Sequence, residues 1–296
     1  MAAKEIDLQM RQRRLAWFLV TPAVVIVILI IGFPMFQVIA DSFFHKKADL
    51  SVPPTFAGLS NYQFILTDPD FWSAFVVTLI FTVCSVVLES VLGLIVALIA
   101  NSDFKGRSLL RVAILIPWAI PTVVSSKIWQ WMFNDIYGVA NVVLAGLHII
   151  PNKIAWLATT ATALPVIIAV DVWKTTPFMA LLLLAGLQLI PGDLYEAASI
   201  DGATKVRQFF SLTLPLLLPT LLVALIFRTL DALRVFDIFF VMVGNQAGLL
   251  TVATYAQQQL VGYLDAGMGS ATSMIILIII MAFVILYTRF SKTSFE

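Results

Sequence analysis

The chain has 296 residues, 60% of them hydrophobic and only 12% charged, with a formal net charge of +1. A soluble domain carries roughly 25% charged residues, so this much apolar side chain cannot be hidden in a water-soluble core, and the solvent is lipid. The near-neutral charge excludes a polyanion-binding protein, the lone Cys84 excludes an internal disulfide or a cysteine-based metal site, and His45 and His148 stand too far apart in sequence to suggest a shared centre.

In chain order, residues 1–14 form a polar tail with Lys4, Arg11, Arg13 and Arg14. The apolar run after it, about 15–40, exceeds the ~7–15 residues of a signal-peptide core and fits a retained spanning helix. A crossing needs about 20 apolar residues. Five further segments qualify, at about 72–100, 109–132, 157–190, 215–243 and 267–288. The runs are continuous rather than alternating, which excludes a closed β-barrel. The expected fold is an all-α polytopic membrane protein of six spans in one domain, 1–296. The fourth run is too long for a straight crossing at about 1.5 Å per residue. Either Pro165 and Pro177 kink it or its first part lies at the outer surface. Of the connecting segments, 41–71 contains Pro53-Pro54 and reads as irregular. Segments 133–156 and 244–266 are modest, and Trp129 and Trp131 suit an aromatic belt.

Basic residues set the orientation. With the N-terminus inside, the cytoplasmic segments hold Lys4, Arg11, Arg13, Arg14, Lys105, Arg107, Arg111, Lys205, Arg207, Arg289 and Lys292, eleven of the eighteen Lys and Arg. The outer segments and their borders hold Lys46, Lys47, Lys127 and Lys153. Both termini and the segment 191–214 therefore face the cytoplasm.

Charge within a span is costly and marks a candidate site. Glu89 stands in the second span without a basic partner on its own helix; it faces either a cation on another helix or keeps a proton, and its role is either a structural hydrogen bond or proton coupling. In the fourth span Asp171 and Lys174 flank Trp173, a ring beside polar groups that suits a sugar; the other reading is a helix-kink network with Trp173 toward lipid. In the fifth, Arg228, Asp231, Arg234 and Asp237 alternate in sign every third residue, the spacing of helix neighbours. This ladder either lines the pathway or locks the bundle. At the start of the sixth, Gly267 and Gly269 with Ser270 and Ala271 read as close helix packing or as a hinge.

The segment 191–214 is more than a connector. Asp193 reads as an N-cap with Glu196 at the third helical position, about 194–200 makes two turns, and Asp201-Gly202 ends them, since glycine accepts the left-handed conformation. A second short helix spans about 203–211, and Pro215 opens the fifth span. The aromatic residues Phe209 and Phe210 allow an interfacial helix resting on headgroups. The small Ala197 and Ala198 beside Glu196 instead allow close approach of another protein.

The spacing of Glu196, Ala197, Ala198, Gly202, Leu212, Leu214 and Pro215 resembles the cytoplasmic signature loop, the EAA motif or coupling helix, of permease subunits of binding-protein-dependent ABC importers. Leu212 stands where isoleucine is commoner. The stretches Leu115-Ile-Pro-Trp-Ala-Ile-Pro121, Ile128-Trp-Gln-Trp131, Val172-Trp-Lys-Thr-Thr-Pro-Phe178, Ala185-Gly-Leu-Gln-Leu-Ile-Pro191 and the run from Arg228 to Asp237 resemble the carbohydrate-uptake branch of maltose, trehalose and glycerol-phosphate type. The resemblance implies a multi-pass subunit of a bacterial or archaeal cytoplasmic membrane. It implies a second permease, two ATPase subunits and an extracytoplasmic solute-binding protein as partners, and no nucleic acid. Glu196, Ala197, Ala198, Asp201, Gly202, Phe209 and Pro215 would couple to the ATPase. Asp171, Trp173, Lys174, Arg228, Asp231, Arg234 and Asp237 are substrate-path candidates. The chain has no G-x-x-x-x-G-K-[ST] run and no catalytic or metal constellation, so ATP and Mg are expected on the partner ATPases and no cofactor on this chain. It is not expected to be an enzyme by itself. The competing expectation is an ion-coupled secondary transporter.

Overall fold

The computed structural model describes residues 2–49 and 52–293, and side chains except those of 2–9, 11, 12 and 290–293. The extreme termini, and the side chains of Lys4, Arg11 and Lys292 used for orientation, lie outside the described residues.

Helices α1 (Ala2–Val27) and α2 (Phe33–Asp41) join through a π-helical turn, Ile28–Gly32, into one helix. A two-residue antiparallel pair follows, β1 (Phe44–His45) with β2 (Thr55–Phe56), and then α3 (Ser60–Thr67). The segment expected to be irregular is thus partly ordered. Next come α4 (Pro69–Asn101), α5 (Arg107–Ile114), α6 (Ile116–Ala119), α7 (Thr122–Met132), α8 (Val139–Gly146) and α9 (Thr160–Leu187). Short α10 (Gly192–Ile200) and α11 (Lys205–Gln208) precede a π-helical turn, Phe209–Thr213, that runs into α12 (Leu214–Leu233). Then follow α13 (Asp237–Val243), α14 (Val252–Gln257), a π-helical turn Gln258–Gly262, and α15 (Ala266–Thr293).

Among the described residues, five helices are long and apolar enough to cross a membrane: Arg13–Asp41, Pro69–Asn101, Thr160–Leu187, Lys205–Leu233 and Ala266–Arg289. The third expected span is not one helix. Arg107–Ala119 and Thr122–Met132 meet at 87°. The break falls at Ile120-Pro121, where the proline ring pushes Ile120 into extended backbone (ψ 130°). The fourth span is shorter than its apolar run, because α9 starts only at Thr160, and it stays helical through Pro165 and Pro177. Two of the π-helical turns end two residues before a proline, Pro34 and Pro215. A wider turn there accommodates the carbonyl that the proline can neither bond nor clear.

The chain forms two compact units. The first comprises residues up to Ile65 together with Gln259–Ile275. In it, buried Asn61 donates from Nδ2 to the carbonyls of Ser42 and Phe44, both at 3.0 Å, and Lys47 pairs with Asp265 at 2.5 Å. A Cβ on Gly267 would lie 2.1 Å from the Phe44 carbonyl oxygen, and one on Gly269 would lie 2.8 Å from Leu260 Cβ. These glycines do serve close packing, but against strand β1 and a π-helical turn rather than a second α-helix.

The second unit comprises Leu66–Gln258 with the remainder of α15. Helix α4 packs along α9, α12 packs against both, and α13 packs against α7. Gly93 and Gly186 permit this: a Cβ on Gly93 would come within 2.6 Å of Met179 Cγ, and one on Gly186 within 2.7 Å of Thr220 Oγ1. Two apolar clusters result. One holds Val77, Phe81, Val86, Ile167, Val170 and Phe239; the other holds Ala97, Met179, Leu183, Leu187, Leu217 and Ala224. The opposite helix faces expose large apolar side chains such as Leu79, Val83, Val87 and Phe227, the arrangement expected where lipid is the solvent.

Candidate functional site

Along α4, α9 and α12 the two apolar clusters are separated by one layer of charge. Thr78, Thr82, Ser85 and Glu89 recur at helical spacing on the buried face of α4, and Glu89 is fully buried. Its cation comes from another helix. Arg228 of α12 grips Glu89 with two donors, Nε to Oε2 and Nη2 to Oε1, the latter at 2.9 Å. Nη2 of the same guanidinium also donates to Asp171 Oδ2 on α9. Thr175 Oγ1 lies 2.5 Å from Glu89 Oε1 and 2.6 Å from the Asp171 carbonyl oxygen, and its single proton serves one of them. One planar, five-donor guanidinium thus ties three helices together, a geometry that an ammonium could not reproduce.

The charge layer grades outward. Arg228 Nη1 reaches Asp231 Oδ2 at 3.4 Å, and Arg234 Nη2 reaches Asp231 Oδ1 at 3.4 Å. Asp231 and Arg234 are 60% and 68% exposed, against 4% for Arg228. The expected four-member ladder stops there. Helix α12 ends at Leu233 with Arg234 as its C-cap, and Asp237 starts a separate helix without an ion pair among the described residues. The break is held from elsewhere in the fold: the freed carbonyl of Val235 accepts from the hydroxyl of buried Thr251 at 2.9 Å, as a non-helical carbonyl in the interior requires.

Asp171 and Lys174, which flank Trp173, do not pair with each other. Asp171 turns to Arg228, and buried Lys174 has no ion pair within 4 Å among the described residues. Trp173 is 39% exposed and meets Trp129 of α7 edge to face at 5.3 Å. Sequence reasoning found the charges but missed Thr175, whose hydroxyl follows Asp171 by one helical turn.

The second candidate element is the turn after α10. Asp193 is not the N-cap. The helix starts at Gly192, and no side chain caps it, because the residue in the N-cap position is Pro191, whose ring has no acceptor. The C-terminal end is closed as expected. Gly202 has φ +76°, its N–H donates to the Ser199 carbonyl at 3.1 Å, and the N–H of Ala203 donates to that of Ala198 at 2.9 Å. This pair of bonds is a Schellman closure. Glu196, Ala197, Asp201 and Gly202 are exposed, and so are Leu189, Ile200, Val206 and Phe210. Phe209 is half-buried, 5.0 Å edge to face from Phe210.

The expected separate second helix is instead continuous with the fifth span through the π-helical turn, so Pro215 lies inside one long helix. Residues not singled out from sequence weld α10 to it. Buried Gln208 donates to Ser199 Oγ at 2.9 Å and to the Ala203 carbonyl at 3.1 Å, and Tyr195 Oη lies 2.9 Å from Thr213 Oγ1. Thr204 accepts from the Arg207 N–H and caps α11. A force on α10 is therefore passed to α12 through side-chain bonds as well as through the chain. The signal for Gln208 was available: an amide among basic and aromatic neighbours, placed to reach back over the glycine turn.

Residues 89–294 match the family described as "Binding-protein-dependent transport system inner membrane component". The chain is 43% identical over 286 residues to the trehalose/maltose transport system permease protein MalF of Thermococcus litoralis, covering 96% of each. It is 40% identical over 289 residues to the sulfoquinovosyl glycerol transport system permease protein SmoG of Agrobacterium fabrum, covering 97% of this chain and 93% of that one. Its fold is similar to a chain of a bacterial alginate ABC transporter solved in complex with an alginate pentasaccharide-bound periplasmic protein, with TM-score 0.83, 19% identity and 96% coverage of each chain.

Proposed function

The chain belongs to the binding-protein-dependent family of inner-membrane transport components, and from that premise we propose that it is one permease half of an ATP-driven importer for a sugar, such as trehalose or maltose, or a sugar-like solute. It is a multi-pass membrane protein of that family. The observation that carries the coupling half of the proposal is the exposed, doubly closed turn at Gly202, welded to α12 by Gln208 and Tyr195. Glu196, Ala197, Ala198 and Gly202 present this element to a cytoplasmic ATPase, with Asp201, Phe209 and Pro215 setting its shape. Two ATPase subunits, which bind ATP and Mg, close and reopen, and the rigid element carries that displacement into the spans, alternating access between the two faces. A flexible loop would absorb it. The remaining partners are a second permease chain and an extracytoplasmic solute-binding protein.

Within the membrane the charge layer divides its roles. Glu89, Asp171 and Arg228 hold α4, α9 and α12 in register. The more open Trp173, Asp231 and Arg234, with Lys174 behind them, offer a ring face and hydrogen-bonding groups to a passing sugar. Asp237 marks the outer end of this path. The relatives named for trehalose, maltose and sulfoquinovosyl glycerol support the carbohydrate class.

Mild solubilisation followed by mass spectrometry should recover this chain with an ATPase, a second permease and a solute-binding protein. In vesicles, labelled trehalose or maltose should be taken up only with ATP inside, and Glu196→Lys should insert normally but stop uptake and shed the ATPase. Uptake that continues without ATP and stops when a proton or sodium gradient is collapsed would overturn the proposal.

A further inference from the structure

Between α7, the segment before α9, and α13 lies a cavity of about 400 Å³, at the end of the spans that the basic-residue count assigns to the outside. The volume lies within the range of about 300–1,000 Å³ typical of small-molecule sites. Four aromatic residues line it: Trp131, Phe133, Tyr137 and Trp156. Lys127, Gln130, Asn134 and Asp135 line it as well.

The walls are built rather than incidental. Gln130 accepts from Lys127 at 2.7 Å and donates to the Met242 carbonyl at 2.9 Å, fixing α7 to α13. The ring of Trp156 is pinned by its Nε1–H, which donates to Asn141 Oδ1 at 2.9 Å. Buried Asn141 also accepts from the Ile154 N–H at 3.1 Å and donates to the Asp135 and Ile154 carbonyls at 3.2 and 3.0 Å. Asn134 Oδ1 accepts from the N–H groups of Ile136 and Tyr137 at 2.9 and 3.1 Å, setting the turn that carries Tyr137. The rings of Trp131 and Tyr137 remain open, at 57% and 64% exposed.

The lining chemistry selects its ligand. A hydrocarbon would strip water from the Lys127 ammonium and the Asp135 carboxylate, a costly burial. Lys127 and Asp135 bring opposite charges to the lining, so its side chains supply no net positive charge to hold an anion. A neutral polyhydroxylated ring has apolar faces for the aromatic walls and hydroxyls for the polar ones. The cavity is also joined to the membrane path by touching rings: Trp156 to Phe133 at 5.9 Å, Phe133 to Trp129 at 5.8 Å, and Trp129 to Trp173 at 5.3 Å.

We infer that this cavity is a second carbohydrate subsite, an outer receiving pocket that takes a neutral sugar before it moves along the aromatic run to Trp173. This rests on the carbohydrate reading proposed above. The test uses the assembled transporter in nanodiscs without its solute-binding protein, labelled with a diazirine derivative of trehalose and mapped by mass spectrometry. Label is expected on peptides containing Trp131, Tyr137 or Trp156, displaced by excess trehalose. It should fall about tenfold in the Trp131→Ala/Tyr137→Ala double variant and persist in Trp131→Phe, which keeps an aromatic face. A transporter that takes up trehalose but is labelled only elsewhere, or equally in the double variant, overturns the subsite and leaves the proposed function standing. If neither trehalose nor maltose is transported, the solute class fails instead. The cavity is then challenged with glucose-, galactose- and glycerol-headed diazirines: displaceable labelling there by any of them supports the subsite, and labelling by none overturns it.

Discussion

One guanidinium serves two buried carboxyl groups, so Arg228→Met tests how much this shared contact holds the helices together. Arg228 and Glu89 are 4% and 0% exposed, and Asp171 is 9% exposed. A contact of unit charges at about 3 Å has a Coulomb energy of about 5.5 kcal/mol at an effective dielectric of about 20, and removing one partner of a buried pair costs about 3–5 kcal/mol. Methionine fills the volume of the lost side chain but leaves both carboxyl groups without their cation, so Arg228→Met should destabilise by at least about 4 kcal/mol. Glu89→Gln leaves Arg228 paired with Asp171 and keeps a side-chain carbonyl as acceptor, so it should cost only about 1–2 kcal/mol. The double variant leaves one carboxyl group instead of two and should be about 2 kcal/mol more stable than the sum of the single effects, within the range of direct couplings. Unfolding of the detergent-solubilised protein, followed by tryptophan fluorescence across a denaturant series, measures all three. An Arg228→Met protein within about 1 kcal/mol of the parent, or strictly additive single effects, would refute the interhelical lock.

Gly202→Ala meets no atom within 4 Å of its new Cβ, so its cost is conformational, about 1–2 kcal/mol for an alanine held left-handed at φ +76°. Amide exchange at Gly202 and Ala203 should quicken roughly tenfold, and unchanged protection would argue against the closure as a rigid element. Gly186→Leu forces a side chain into Thr220 and Leu217 where even a Cβ lies within 2.8 Å; overpacking of this kind costs about 1–3 kcal/mol, and a lowered unfolding midpoint checks it. Thr78→Val keeps the shape but removes the hydroxyl that accepts from the Val252 N–H at 3.0 Å. The stranded buried donor should cost about 1–3 kcal/mol, and a midpoint equal to the parent's would show that the amide finds another partner.

Much of this protein is legible in one dimension because lipid imposes a simple rule. A backbone in hydrocarbon must bond to itself, so a run of about 20 apolar residues declares a helix regardless of its neighbours. That rule locates α4, α9 and α15, and the spacing of Glu196, Gly202 and Pro215 locates the closed turn, whose left-handed glycine is a local property of the chain. Local prolines were less decisive. Pro165 and Pro177 stay within an unbroken α9, Pro121 bends the third span by 87°, and Pro215 is absorbed by a π-helical turn.

Partner choice was beyond the reach of local pattern. Spacing in sequence predicts neighbours on one helix, and so joins Arg228 to Asp237 in a single ladder. In the folded chain both carboxyl groups of the buried layer belong to other helices than the arginine that binds them, 139 and 57 residues away. The pairing is decided by where glycines such as Gly93 and Gly186 let α4, α9 and α12 approach. The same holds for Gln208, Thr251 and Asn141, whose value lies in backbone groups they reach across the fold. Composition and hydropathy alone determine that this chain lives in lipid and where its long apolar helices lie, since burial of apolar surface is additive along a sequence. Which charges meet, where a helix breaks and what a cavity can hold depend on distances between segments far apart in the chain, and tertiary packing alone sets those.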